Sequence, residues 1–383
     1  MPASTVAADG PGRPAAHEPA PSISVSRASS GRRLAVETEA VVGGAVAAAA
    51  SGLVAAVAMS GQVWPLWGGW SVGAAAAIAV VVTGLVLGAI GYWRSRDLPG
   101  QEWRRGLRPW KFSLDVATVS SVHAIIGGIL AVVTFAMLQR SFEGLVVDGL
   151  TATGATAASA GLAGYWIFLS VSSITTNRLA TLLVFFMASA TLGSMATAQD
   201  PQWWEYHFSQ LGTAGDFSSG LFNLALIVAG AFVTTFALYV DRDLTTLVRQ
   251  GVLVNAWAPR FVSVVFIVMG VMLAGVGLFP LTVSVALHNS CAIGMSLSFL
   301  VLLISSPWTL KGMPARFFWF CGGAGALVVG GALLFEPIGY YNLTAFELLA
   351  FATIFGWISV FIRFENALAE PVDVVPAVAP YSA

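Results

Sequence analysis

Charge is scarce in this chain: Asp, Glu, Lys and Arg make up 10% of its 383 residues, against roughly 25% in an ordinary soluble domain. Eighteen basic and 19 acidic residues are too few to coat two or three soluble domains, so the usual relation of length to domain count does not apply. A basic excess is also lacking. The formal net charge of -1 argues against a nucleic-acid partner, because phosphate binding needs clustered basic groups on an exposed face. The two cysteines, Cys291 and Cys321, lie inside apolar runs and offer no disulfide framework or zinc knuckle. Walker-type phosphate loops, Gly-x-Gly-x-x-Gly turns, His-Glu-x-x-His helices and Gly-x-Ser-x-Gly elbows are missing too, which removes the common nucleotide and hydrolase signatures. What the chain has instead is apolar sequence: 57% hydrophobic residues and a mean hydropathy of +0.80.

A membrane helix needs about 20 mostly apolar residues to cross a hydrocarbon core of about 30 Å. Ten runs qualify, at about 39–59, 72–92, 117–138, 149–172, 179–198, 219–240, 261–279, 282–305, 317–335 and 343–362. The expected fold is an all-α, polytopic transmembrane helical bundle. Residues 1–38, with Pro11, Pro14, Pro19 and Pro21 among Ala, Ser and Gly, read as a disordered tail. Residues 39–114 hold two spans and a basic loop, 115–363 an eight-span membrane domain, and 364–383 a C-terminal tail. Ala56-Val57-Ala58 is compatible with signal-peptidase cleavage, but the preceding tail is long for a secretory n-region.

Basic residues accumulate in cytoplasmic loops, and all of them except Arg140 fall on one side of the ten-span map, from Arg13 through Arg94, Lys111, Arg178, Arg242 and Lys311 to Arg363. Both termini are therefore expected in the cytoplasm, and the protein in the plasma membrane. The outer connections carry Glu143, Asp148, Asp200, Glu205, Asp216 and Glu336. Tryptophans such as Trp64, Trp93, Trp203, Trp204 and Trp308 lie in connections or at span ends, as an interfacial aromatic belt requires.

Ionisable groups at membrane depth are costly and mark functional candidates. Here they are His123, His288 and Glu347, with Asp115 and Asp148 near span ends. His288, Asn289, Glu347 and Asn223 come from three spans and share the outer third of the bilayer. Above them runs the longest outer connection, which contains Trp203, Trp204, His207 and Ser209. His207, Ser209, Asn223, His288, Asn289 and Glu347 are the candidate residues of an outer polar cavity, with Trp203 and Trp204 as interfacial anchors. Structural roles compete with this reading: an amphipathic interfacial segment for the loop, a cap for Asn223, and a favourable helix dipole for Glu347. His123 enters from the opposite side, more than about 10 Å from His288 in depth, so a two-histidine haem is disfavoured. Its ring is expected to bond a neighbouring span through Ser120 or Ser121. Only His207 and His288 are available on the outer side, too few for a three-histidine zinc site; no metal and no cofactor is expected.

Trp203-Trp204, the run His207-Phe208-Ser209-Gln210-Leu211-Gly212-Thr213, and Phe222-Asn223 with Gly230 resemble the membrane family catalogued as domain of unknown function 998. Gly277-Leu278-Phe279-Pro280 with His288, and Leu343-Thr344-Ala345-Phe346-Glu347, are similar to it as well. The resemblance covers about 179–363 and extends towards 117. It implies a distant likeness to the Frag/DRAM/Sfk membrane proteins, some tied to lipid remodelling or asymmetry, and fold-level analogy of that kind carries no activity. The expected function is to bind or handle a membrane lipid or other amphiphile in an outer-leaflet cavity. A lipid-modifying enzyme would need an acid–base pair, which His288 and Glu347 would supply if their helices are neighbours. A proton-coupled secondary transporter ranks second, since no internal repeat is visible, and a non-catalytic assembly protein third.

Overall fold

The computed structural model describes residues 23–98 and 101–369. Among them are ten helices long and apolar enough to cross a membrane: α1 (Ile23–Ala58), α2 (Val72–Ser95), α3 (Pro109–Ser141), α4 (Gly149–Ser172), α5 (Thr176–Thr197), α6 (Phe217–Arg249), α7 (Ala258–Leu278), α8 (Val285–Thr309), α9 (Ala315–Phe335) and α10 (Leu343–Ala369). The one sheet among the described residues is a two-stranded antiparallel ribbon, β1 (Val63–Pro65) with β2 (Val146–Asp148), in which Trp64 faces Val147. The fold is an all-α polytopic bundle. Its large exposed side chains, such as Val57, Leu150, Trp166 and Trp319, form the outward surface that a hydrocarbon solvent tolerates and water does not.

Local sequence sets the helix starts. Ser71, Asp148, Thr175, Asp216 and Ser284 each accept a backbone N–H of the first turn, and Pro109 and Pro259 occupy early positions where an N–H has no helical partner. Asp148, met in the sequence as an ionisable group near a span end, is such a cap: its carboxylate accepts from Leu150 N at 2.8 Å and Thr151 N at 3.1 Å.

Several helices run past the apolar stretches. α1 begins at Ile23, inside the stretch expected to be a tail; residues 1–22 and 370–383 of the two expected tails lie outside the described residues. α6 continues through Asp241, Arg242 and Asp243 to Arg249, and its 33 residues extend about 50 Å at 1.5 Å per residue. α10 continues to Ala369 and carries Glu365 with it. A hydropathy run ends at its first charges, whereas backbone hydrogen bonding does not.

Hydrogen bonds gather the connections at two ends. At the acidic end β1 pairs with β2, and Asn342 Nδ2 donates to the Trp204 carbonyl at 2.8 Å. At the basic end Gln101 Nε2 donates to Ile174 O at 2.8 Å, and Val254 N to Lys311 O at 3.0 Å. Within the bundle α1 packs on α4, and α2 on both α3 and α4; α6 packs tightly on α7, flanked by α5, α8 and α10, and α3 joins the groups by lying against α5 and α6. Small residues allow the closest approaches: a Cβ on Gly230 of α6 would lie 2.4 Å from Ala274 N and from Gly270 O of α7.

Candidate functional site

The α5–α6 connection folds back into the acidic end of the bundle as two 3-10 turns, Trp203–Glu205 and Phe208–Gly212. Phe208 is its buried anchor. The ring stands edge-on to Phe222 of α6 (5.1 Å between centroids) and to Phe351 of α10 (5.4 Å). Burying this ring carries the backbone of its neighbours below the surface, where each polar group needs a partner.

Three helices provide those partners. The Phe208 N–H donates to Glu347 Oε2 at 2.6 Å. Ser209 Oγ lies 3.0 Å from His288 Nε2, and His288 Nδ1 lies 3.0 Å from the Phe279 carbonyl. Asn223 Nδ2 donates to the Gly212 carbonyl at 2.9 Å. Gly212 must be glycine for this approach, because a Cβ there would sit 2.5 Å from Asn223 Oδ1. Asn342, whose Oδ1 also accepts the Ala345 N–H at 2.9 Å, holds the Trp204 carbonyl from the α9–α10 connection.

Below Phe208 and Ser209 lies a cavity of about 400 Å³. Its walls are apolar: Phe222 and Leu226 of α6, Leu273 of α7, Met295 and Phe299 of α8, and Phe346, Phe351 and Ile354 of α10. Its polar lining is Ser209, Ser296 and Glu347. From Glu347 to Ile354 the wall of α10 descends about 10 Å at 1.5 Å per residue. Among the described residues no Lys or Arg lines it.

The structure distributes the expected site residues unevenly. Ser209 and Glu347 line the cavity, while His288 and Asn223 stand behind the loop and hold it. His288 and Glu347 are not bonded to each other; they grip consecutive residues of the same turn. His207 is half-buried, and its Nδ1 has no hydrogen-bond partner among the described residues. Burial, with the neighbouring His288 adding to it, holds its pKa below the ordinary histidine value. Asn289 is exposed and joins none of these groups, as one residue along a helix turns the side chain by about 100°. Trp203 is half-buried against the core, and Trp204 is half exposed at the outer surface.

His123 bonds a neighbouring span, as expected, but through Ser170 of α4, with Nε2 to Oγ at 2.9 Å, rather than through Ser120 or Ser121. Its Nδ1 lies 2.8 Å from Val119 O. Ser120 and Ser121 share the histidine's own helix and its neighbouring turn, so the choice of partner was tertiary.

A second polar group, at the basic end, was not legible as a site. Arg104 is buried and stacks its guanidinium over Tyr92 at 4.5 Å, and its Nη1 donates to Ser95 Oγ at 2.9 Å. The Tyr92 and Tyr239 hydroxyls are 2.7 Å apart. Asp243 accepts from Thr176 and from Arg242 Nε, the latter at 2.8 Å. A polar cavity of about 270 Å³ runs between Gln101, Thr176, Arg242, Asp243 and Asn366. Asp115 and Glu365 are buried, and among the described residues neither has a hydrogen-bond partner on either carboxylate oxygen. Glu365 fell in an expected tail, and Asp243 in an expected loop; the continuous helicity of α6 and α10 brings both into the bundle.

Fold and site together define a multi-pass integral membrane protein with an apolar cavity lined at one end by Phe208 and Ser209 of the α5–α6 connection. No family model, curated protein or solved structure matches the chain. Among the described residues no group of three or more His, Cys, Asp or Glu side chains is arranged to hold a metal.

Proposed function

We propose that this protein binds or handles a membrane lipid or similar amphiphile at the acidic end of the bundle, with the acyl chain in the cavity between α6, α7, α8 and α10 and the polar head at Ser209, Glu347 and His207. The observation that carries the reading is the cavity itself, about 400 Å³ with an apolar wall and its carboxylate and loop hydroxyl near the outer helix ends. A site of that kind suits a ligand with one long apolar part and one small polar part. The absence of Lys and Arg from its lining, beside a carboxylate, favours a hydroxyl- or amine-bearing head over one recognised through phosphate alone.

The basic end faces the cytoplasm in this proposal, because basic residues accumulate there, and the cavity then belongs to the outer leaflet of a plasma membrane. Kinship with the domain of unknown function 998 family is part of the same proposal and rests on the motif residues alone. Its support is that Ser209, Gly212, Asn223, Phe279, His288 and Glu347, scattered over more than a hundred residues, meet in one bonded group.

A lipid carrying a photoactivatable group at the end of its acyl chain tests the reading in purified protein. Crosslinks at Met295 and Phe351 in the cavity are expected to exceed those at Trp319, which is exposed on the outer surface of α9. Labelling spread over exposed apolar residues alone would leave no bound lipid to discuss.

A further inference from the structure

The two hydrogen bonds of His288 have a defined polarity. The Phe279 carbonyl can only accept, so the contact with His288 Nδ1 at 3.0 Å puts the hydrogen of the neutral ring on Nδ1. The ring's lone pair is then on Nε2, 3.0 Å from Ser209 Oγ. A hydroxyl held against an imidazole lone pair, with the imidazole oriented through its other nitrogen, is the arrangement that activates a serine nucleophile. Two further features fit such a role. His288 is buried, which fixes the ring, whereas Ser209 is partly open and lines the apolar cavity. The Phe208 N–H bonded to Glu347 Oε2 at 2.6 Å fixes the backbone just before the serine.

We propose that Ser209 and His288 form a nucleophile–base pair that removes or transfers the acyl group of a long-chain carboxylic ester whose chain occupies the cavity; this rests on the acyl-binding reading above. Ser209 Oγ attacks the ester carbonyl carbon as His288 Nε2 takes the hydroxyl proton. The ester C–O bond then breaks, and Nε2 returns the proton to the leaving alcohol. The acyl-serine is released by water, or by a second alcohol, which gives its proton to Nε2 as it attacks; that proton returns to Ser209 Oγ. No oxidant, metal or nucleotide enters the balance. The alcohol part belongs to the class favoured by the site, uncharged or amine-bearing. Glu347 is a positioning residue in this scheme, acting through the 208–209 backbone, and Ser209 and His288 are the catalytic residues.

The test uses the full chain in lipid nanodiscs and a long-chain alkyl fluorophosphonate, whose phosphorus takes the serine oxygen as fluoride departs. Peptide mapping of the wild-type protein is expected to find one adduct, on Ser209. Ser209→Ala should lose it, and His288→Gln should slow it about 100-fold or more, the usual contribution of a positioned base, at unchanged monodispersity. Native mass spectrometry of the same samples reads lipid retention separately. Retained lipid with no Ser209 adduct overturns the catalytic pair and leaves lipid binding standing; neither lipid nor adduct overturns both. If His288→Gln does not fold, the wild-type adduct map and Ser209→Ala decide alone, and labelling that persists in Ser209→Ala is a refutation.

Discussion

Phe208 and Glu347, 139 positions apart in sequence, are joined by a 2.6 Å hydrogen bond from backbone N–H to carboxylate. The adjacent Ser209 is held through its side chain, with Oγ 3.0 Å from His288 Nε2. One turn of the α5–α6 connection is thereby pinned to two helices at once, and the cavity beneath it acquires a fixed polar rim.

The first expectation concerns that pin. A hydrogen bond contributes about 0.5–1.5 kcal/mol, so Glu347→Ala should raise the exchange rate of the Phe208 amide by about 2- to 12-fold. Hydrogen exchange read by mass spectrometry over 203–213 measures it. Unchanged protection of that segment would mean the bond does not hold the loop.

Gly212 offers a test by collision. Gly212→Ala places a methyl group 2.5 Å from Asn223 Oδ1, and overpacking of this kind costs about 1–3 kcal/mol. The Tm in detergent should fall. Adding Asn223→Ala removes the obstructing amide, so the double variant should be less destabilised than the sum of the two single variants. Strict additivity would contradict the contact.

Acidity should act on the loop through His207. Its folded-state pKa is depressed, first by burial and then by the neighbouring His288, so the unfolded chain binds the proton more readily. The stability it supports is complete above the unfolded histidine value of about 6.5 and is lost as pH falls below that value towards the depressed one. The protection of 203–213, read as exchange relative to the intrinsic rate at each pH, should therefore fall between pH 7.5 and 5, and His207→Gln should flatten the change. His207 is only half-buried, so the effect is expected to stay local rather than to move the global Tm.

Much of this organisation is legible before folding. The ten apolar runs and the scarcity of charge at depth follow from composition and spacing, whereas the run around Phe208 and Ser209 stands out only through a family resemblance. What escapes is tertiary. Asn289 follows His288 in sequence but points elsewhere on α8, because adjacent helix positions never share a face. Asp243 and Glu365 stand beyond the last apolar residues of their runs, where hydropathy marks a loop or a tail, yet helices need only backbone bonds to continue and carry both inward. His123 finds its partner in Ser170, a residue of a different span that no local pattern singles out.

If the cavity is an acyl-binding site, filling it should expel the bound lipid. Ala350 lines the cavity, so Ala350→Trp should occupy the space without touching the Glu347 or His288 bonds. Native mass spectrometry of wild-type and variant protein extracted from the same nanodiscs compares bound amphiphile at matched Tm. The account predicts retained lipid on the wild type and at least a tenfold loss on Ala350→Trp; equal retention by the two proteins would contradict it.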